Sequence, residues 1–161
     1  MDGPTTDIDA FAATLPPSGA LIGIDHGTRT IGVAISDRTR SVASPLIGLK
    51  KAKFTENAAD LRRIVADNAV CGMVVGFPLN MDGSIGPSAQ SARAFAANLG
   101  RTLGLPTLLW DERLSTAAVT RMLIEGDTSR RRRARIIDET AAAYILQGAL
   151  DRLRARDRRS T

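Results

Sequence analysis

At 161 residues, 43% hydrophobic and 24% charged, the chain has the size and composition of one globular domain. It contains no run of about 18 or more apolar residues that would read as a membrane-spanning helix. A single cysteine, Cys71, excludes an intrachain disulfide, and with only one histidine beside it a structural zinc site is excluded too. The net charge of +5 is uneven. Residues 130–161 hold ten arginines against four acids, whereas residues 1–129 hold twelve Lys/Arg against thirteen acids. A basic segment beside a neutral body is the footprint of a polyanion binder, or else a solvated terminal helix and tail.

In chain order, residues 1–19 are acidic, carry Pro4, Pro16 and Pro17, and lack the basic start of a secretory signal. They read as a loose, flexible extension. Leu21 to Ile24 is a short apolar run that ends in Asp25. Gly27 and Thr28 make a tight turn, and a second apolar run follows from Ile31, so the pattern predicts strand, hairpin and strand. Residues 41–49 predict a third strand, at a sheet edge because Pro45 cannot donate to a ladder. Thr55 is a candidate N-cap for a helix with apolar residues at Ala58, Leu61, Ile64 and Val65, closed near Gly72.

Met73 to Phe77 predicts a strand covered on both faces. A turn-rich loop over residues 78–84 follows. A helix then starts around Pro87, carries Ala92, Phe95, Ala96, Leu99 and Leu103 on one stripe, and ends at Gly104. Thr107 to Trp110 predicts another buried strand, ending in Asp111, Glu112 and Arg113. Ser115 or Thr116 can cap a further helix to Ile124, closed by Gly126. Residues 127–135 show no periodicity and read as a mobile loop. A last helix over about 136–154 places Ile137, Ala141, Tyr144, Ile145, Gly148 and Ala149 on its buried stripe. Two hairpins followed by strand–helix alternation predict an α/β fold with a mixed sheet, in one domain over 20–155 with a basic tail at 156–161.

Such sheets bind ligands beyond the carboxyl ends of their parallel strands. Asp25 ends the first parallel strand, Asp111 and Glu112 end the last, and Asp138 lies in the first turn of the final helix. Three separated acids converging on one rim, with no histidine or thiol among them, suit Mg²⁺ or Mn²⁺ and two-ion phosphodiester cleavage. Each acid alone also has a plainer reading: Asp25 a turn former, Asp111 and Glu112 loop charges beside Arg113, Asp138 a helix N-terminal acid. His26 is a candidate proton shuttle, more often a packing residue on such a turn. Trp110 and Tyr144 read as core rather than as bases' stacking partners, and Cys71 as buried and inert.

Four stretches resemble one family. Ile24-Asp25-His26-Gly27-Thr28-Arg29-Thr30-Ile31-Gly32-Val33-Ala34 is similar to the opening motif of the YqgF/RuvX proteins. Val75-Gly76-Phe77-Pro78-Leu79-Asn80-Met81-Asp82-Gly83 is similar to their second motif, Trp110 to Thr116 to their third, and Ile137 to Gln147 to the helix that closes their domain. The resemblance spans roughly residues 20–150. It implies a ribonuclease-H-like fold with five strands in the order 3-2-1-4-5, flanked by helices. It also implies a metal-dependent nuclease, with Asp25, Glu112 and Asp138 at the family's acidic positions. Asp111 matches as well but ranks second, because alternation sends neighbours in a strand to opposite faces.

The family is associated with trimming the 5′ end of pre-16S ribosomal RNA in the bacterial cytoplasm, and was first described as a Holliday junction resolvase. The leading expectation is therefore a hydrolase acting on structured RNA, with Arg113, Asn80 and the arginines Arg130, Arg131, Arg132, Arg133 and Arg135 gripping its backbone. The alternatives are a resolvase of branched four-way DNA and a non-catalytic RNA-binding module. No membrane partner is expected, and the chain is read as a monomer or weak homodimer.

Overall fold

The computed structural model describes residues 3–114 and 130–159, the last segment with its side chains from Thr140 onward. The elements are α1 (Ile8–Ala13), β1 (Ala20–His26), β2 (Thr30–Ser36), β3 (Ala43–Lys50), α2 (Phe54–Asp67), β4 (Val70–Phe77), α3 (Pro87–Leu103), β5 (Thr107–Asp111), a 3₁₀ turn (Glu112–Leu114) and a long final helix, here α4 (Arg130–Arg159). The sheet runs β3-β2-β1-β4-β5. β2 is antiparallel to β1 and β3, while β4 is parallel to β1 and β5 to β4. This is the mixed ribonuclease-H-like order that the motifs imply.

Strand alternation divides the core between two faces. Ile22, Ile24, Val75 and Leu109 pack toward α2 and α3 with Leu61, Phe95 and Leu99. Leu21, Val74, Leu108 and Trp110 pack toward α4 with Ala142, Ile145, Leu146 and Leu150. α3 starts with Pro87 in its first turn and ends on Gly104, whose φ of 67° is left-handed. Glycine takes that conformation without the steric penalty a Cβ would bring.

α4 lies directly against the sheet because glycines clear its path. A Cβ on Gly23 would stand 2.6 Å from Leu146 Cβ and 2.9 Å from the Ala142 carbonyl oxygen. One on Gly76 would stand 2.7 Å from Ile145 Cδ1, and one on Gly148 of the helix 2.8 Å from the Trp110 ring. The far end of the helix is pinned to the β3 edge, where Gln147 accepts from the Ala43 amide at 2.8 Å and donates to the Ser41 carbonyl at 3.1 Å.

Several boundaries differ from the sequence reading. The first nineteen residues are not a loose extension where the structure describes them. Asp7 caps α1, Phe11 is buried at 1% exposure, and Thr5 bridges to Leu108 on the open side of β5. One aromatic side chain and two backbone bonds of Thr5, to Thr107 and Leu109, suffice to dock it. α2 starts at Phe54, with Lys53 rather than Thr55 at its N-cap, because the Asn57 side chain already closes that corner by bonding the Ala52 amide and the Lys50 carbonyl.

Arg130 to Arg135 are not loop but the first turns of α4. Arginine is a good helix former, so a helix nucleated by the packed stretch beyond it extends through the run without an apolar stripe. Tyr144 is 42% exposed rather than core: the buried stripe is centred on Ala142, Ile145, Ala149 and Leu153, and residue 144 falls nearly opposite it. The expected basic tail continues the helix to Arg159, with Arg156 paired to Asp9 at 2.7 Å. The expected helix over 115–124 lies outside the described residues.

Gly23→Ala is expected to lower unfolding free energy by about 1–3 kcal/mol, because the nearest obstacles include backbone. Gly3→Ala, with nothing within 4 Å of the added atom, is expected to be silent. Urea denaturation of the two variants checks this.

Candidate active site

The register sets one row of residues across the sheet on the α4 face. Ile24 pairs with Val75, and Gly76 pairs with Trp110, so Asp25, Gly76 and Trp110 stand side by side on three adjacent strands. On the other side Asp25 faces Gly32, which faces Gly48. Asp25 is therefore flanked by glycine on both neighbouring strands, and it is 3% exposed.

Glu112 follows β5 in the 3₁₀ turn and is 8% exposed. Its Oε2 lies 2.9 Å, and its Cδ 3.1 Å, from where a Cβ of Gly76 would stand. The carboxylate thus folds back over β4, one strand from Asp25. Adjacent strands are about 4.8 Å apart. Any side chain at position 76 would fill the place Glu112 takes. A glycine inside an apolar strand run is the only mark of this in the sequence.

Asp111, one residue earlier, goes elsewhere. Arg113 forks onto it, Nη2 to Oδ2 at 2.7 Å and Nε to Oδ1 at 3.0 Å, and the Arg113 amide adds a bond to Oδ1 at 3.0 Å. The guanidinium holds the Asp111 carboxyl below its ordinary pKa. Arg113 also donates to the Met81 carbonyl at 3.3 Å, tying the β4–α3 loop to the end of β5. Asn80 is occupied in that loop: its side chain donates to Ser84 Oγ at 2.9 Å, and its backbone closes the turn with Gly83 and Ser84. Both residues expected to grip nucleic acid therefore hold the rim together.

Asp138 belongs to α4 by its backbone, and its side chain lies outside the described residues. The helical period puts position 138 one turn before Ala142, which lies over Gly23. With Gln147 at the opposite end of β1, that turn is on the Asp25 side. Arg130, Arg131, Arg132, Arg133 and Arg135 likewise have only their backbone described, along the first turns of α4. Among the described residues no three acidic, thiol or imidazole groups gather into a metal-binding cluster. The acids this structure brings together are Asp25 and Glu112.

His26 turns to the opposite face. Its ring stacks on Phe95 at 4.3 Å with planes 13° apart, and Phe54 meets Phe95 edge-on. Burial pushes the imidazole pKa down to about 4; Lys51 adds to the fall and Asp25 opposes it. His26 is thus a neutral packing residue at pH 7. Trp110 is core, buried under Gly148. Cys71 is half-buried, with Arg40 donating to its sulfur at 3.2 Å.

Comparison with known proteins is consistent across the chain. The model of the RuvX family, described as Holliday junction resolvase, matches residues 19–152. A protein of Paracoccus denitrificans named "Putative pre-16S rRNA nuclease" is 60% identical over 148 residues, 92% of this chain and 94% of that protein. One of Cereibacter sphaeroides with the same name is 61% identical over 146 residues, 91% of each. Among solved structures, Thermus thermophilus RuvC in complex with Holliday junction substrate superposes with a TM-score of 0.52 at 14% identity, covering 86% of this chain and 96% of RuvC. That likeness shows the shared ribonuclease-H-like fold.

The His26 ring should titrate with a midpoint near 4 rather than 6.5. Because the folded state resists a proton that the unfolded state accepts, stability should rise with pH between about 4 and 6.5. That slope should flatten in His26→Gln. NMR of the only histidine, with pH-dependent melting of the variant, checks both.

Proposed function

The chain belongs to the RuvX family, and on that premise we propose that it is a metal-dependent nuclease that hydrolyses phosphodiester bonds at the 5′ end of pre-16S rRNA in the cytoplasm. The observation that carries this reading is the Glu112 carboxylate folded over Gly76, one strand from buried Asp25. The names of the relatives supply the substrate class. No helix among the described residues is long and apolar enough to cross a membrane.

The donor set fits a hard divalent cation. Asp25 and Glu112 are all-oxygen ligands on one face of the sheet, and glycine at 76 leaves the cradle that Glu112 occupies. Asp25 and Glu112 would hold Mg²⁺ or Mn²⁺, with Asp138 completing the set. The chemistry a pair of such ions supplies when bound is positive charge beside the attacking water and the departing oxygen.

The chain does the rest. Burial in the row between Gly32 and Gly76 fixes the Asp25 carboxylate at the end of β1. The 3₁₀ turn aims Glu112 back across β4, and the Arg113–Asp111 fork keeps Asp111 out of the cleft. Water, rather than a side chain, would be the nucleophile, leaving a 5′-phosphate and a 3′-hydroxyl. A second reading, resolution of four-way DNA, draws on the family model's description and would require two active sites in a dimer.

Asp25→Asn and Glu112→Gln are each expected to cut Mn²⁺-supported cleavage of a 16S precursor leader by about 100-fold or more, since charge stabilisation of several kcal/mol is removed. Asp111→Asn should cost much less. Mapping cut sites on the leader beside a four-way DNA junction separates the two substrates. Equal cleavage by wild type and Asp25→Asn would sink the assignment.

A further inference from the structure

The β2–β3 side of Asp25 carries a set of groups that the acids do not account for. One register step beyond Asp25, toward the hairpin turn, Gly27 bonds to Thr30 through its amide, and Thr30 pairs with Lys50 on β3. Thr30 is two residues from Gly32, which faces Asp25, so alternation puts Thr30 and its partner Lys50 on Asp25's own face of the sheet. Gly32 and Gly48 add no side chain to Asp25's own row, next to that of Thr30 and Lys50.

The Thr30 hydroxyl is buried, the residue only 8% exposed, and its Oγ1 has no hydrogen-bond partner among the described residues. A buried hydroxyl without a partner is costly to keep, and the cost is relieved when a bound oxygen accepts its proton. Next to it, Arg29 in the chain and Lys50 and Lys51 at the end of β3 are exposed cations. The Lys51 amide donates to the Arg29 carbonyl at 2.9 Å, and its Nζ reaches the Gly27 carbonyl at 3.3 Å, which draws the segment against the hairpin. None of these three cations has a carboxylate within ion-pair distance among the described residues. Arg113 and Arg156, by contrast, are paired.

We propose that Thr30 and Lys50, with Arg29 and Lys51 beside them, bind the phosphodiester backbone of the RNA on the β2–β3 side of Asp25. The inference rests on the nuclease reading for the identity of its ligand. The Thr30 hydroxyl donates to a non-bridging phosphate oxygen, and the cations meet the phosphates that follow along the hairpin. The strand then crosses the rim from β3 toward β1, and the scissile phosphate arrives over Asp25 with its neighbours already held.

The test is binding of a fluorescein-labelled RNA hairpin in EDTA, where affinity is read without turnover, over a range of salt concentrations. Lys50→Ala/Lys51→Ala should shallow the slope of log affinity against log salt by about 1.4–1.8, the share of two phosphate contacts. Arg62→Ala/Arg63→Ala on α2 should leave the slope unchanged. Thr30→Val should weaken binding about 10- to 100-fold without changing the slope, because a neutral donor releases no counterion, and Thr30→Ser should restore it. An unchanged slope in the lysine pair, or wild-type affinity in Thr30→Val, overturns the proposal. A wild type that binds with this hairpin-dependent slope yet cleaves no RNA removes the nuclease assignment and leaves the binding wall standing. Cleavage with an unchanged slope does the reverse.

Discussion

The close approach of α4 to the sheet is the constraint from which the site follows. Gly23 and Gly76 on the strands and Gly148 on the helix remove the Cβ atoms that would hold the two layers apart. Each glycine in a regular element costs about 0.5–1 kcal/mol of backbone entropy relative to alanine. Burial of Trp110, Ile145 and Leu146 in the resulting contact offsets that, at about 1.5–3 kcal/mol for each large apolar side chain. The same clearance does chemical work. At Gly76 the space is shared by Ile145 and the Glu112 carboxylate, so the surface that seats the helix also receives the acid. Packing and site geometry cannot be altered separately at this position.

Most of the fold is written in local patterns. The Asp25–Thr30 hairpin, Pro45 on the edge strand, Pro87 at the start of α3 and the left-handed Gly104 at its end each follow from the conformational limits of one residue type. The elements that escaped are those settled by distant contacts. α1 is six residues long, too short to declare itself by periodicity, and is fixed by Phe11 fitting under the sheet. The arginine run carries no apolar stripe, and its helicity is inherited from the packed turns of α4 beyond it. Tyr144 falls off the buried stripe because the helix's seat on Gly23 and Gly76, a distant contact, sets the centre of that stripe.

In the candidate site the split was similar. Asp25 and Glu112 were legible because strands end at them, and alternation ranked Glu112 over Asp111. Asp111 does turn away, into the Arg113 fork. The duties of Arg113 and Asn80 were not legible, because a cation or amide on a rim looks the same in sequence whether it faces a ligand or staples a loop. In the structure both side chains bond within the rim, Arg113 to Met81 and Asp111 and Asn80 to Ser84. Segment totals misled in the same way. Residues 1–129 are nearly neutral by count, yet their acids and bases are not mixed in space. Asp9 is drawn to Arg156 at the far end of α4, Asp60 pairs with Arg63 on α2, and Asp37 closes the β2–β3 turn. That leaves Arg29, Lys50 and Lys51 without an acid in ion-pair distance among the described residues, a local positive charge that composition hides.

Alternation in β1 also divides two neighbours that look like a catalytic pair. Asp25 faces α4 and Glu112, whereas His26 faces Phe95 on the other side of the sheet, neutral and stacked. An imidazole held there cannot reach a proton handled over Asp25 without crossing the strand. In the proposed reaction the site therefore works with carboxylates alone. A hard-cation mechanism tolerates this, because the attacking water can be activated by charge rather than by a nitrogen base. Losing the only histidine should then touch stability through its contact with Phe95 while leaving the chemical step to the acids.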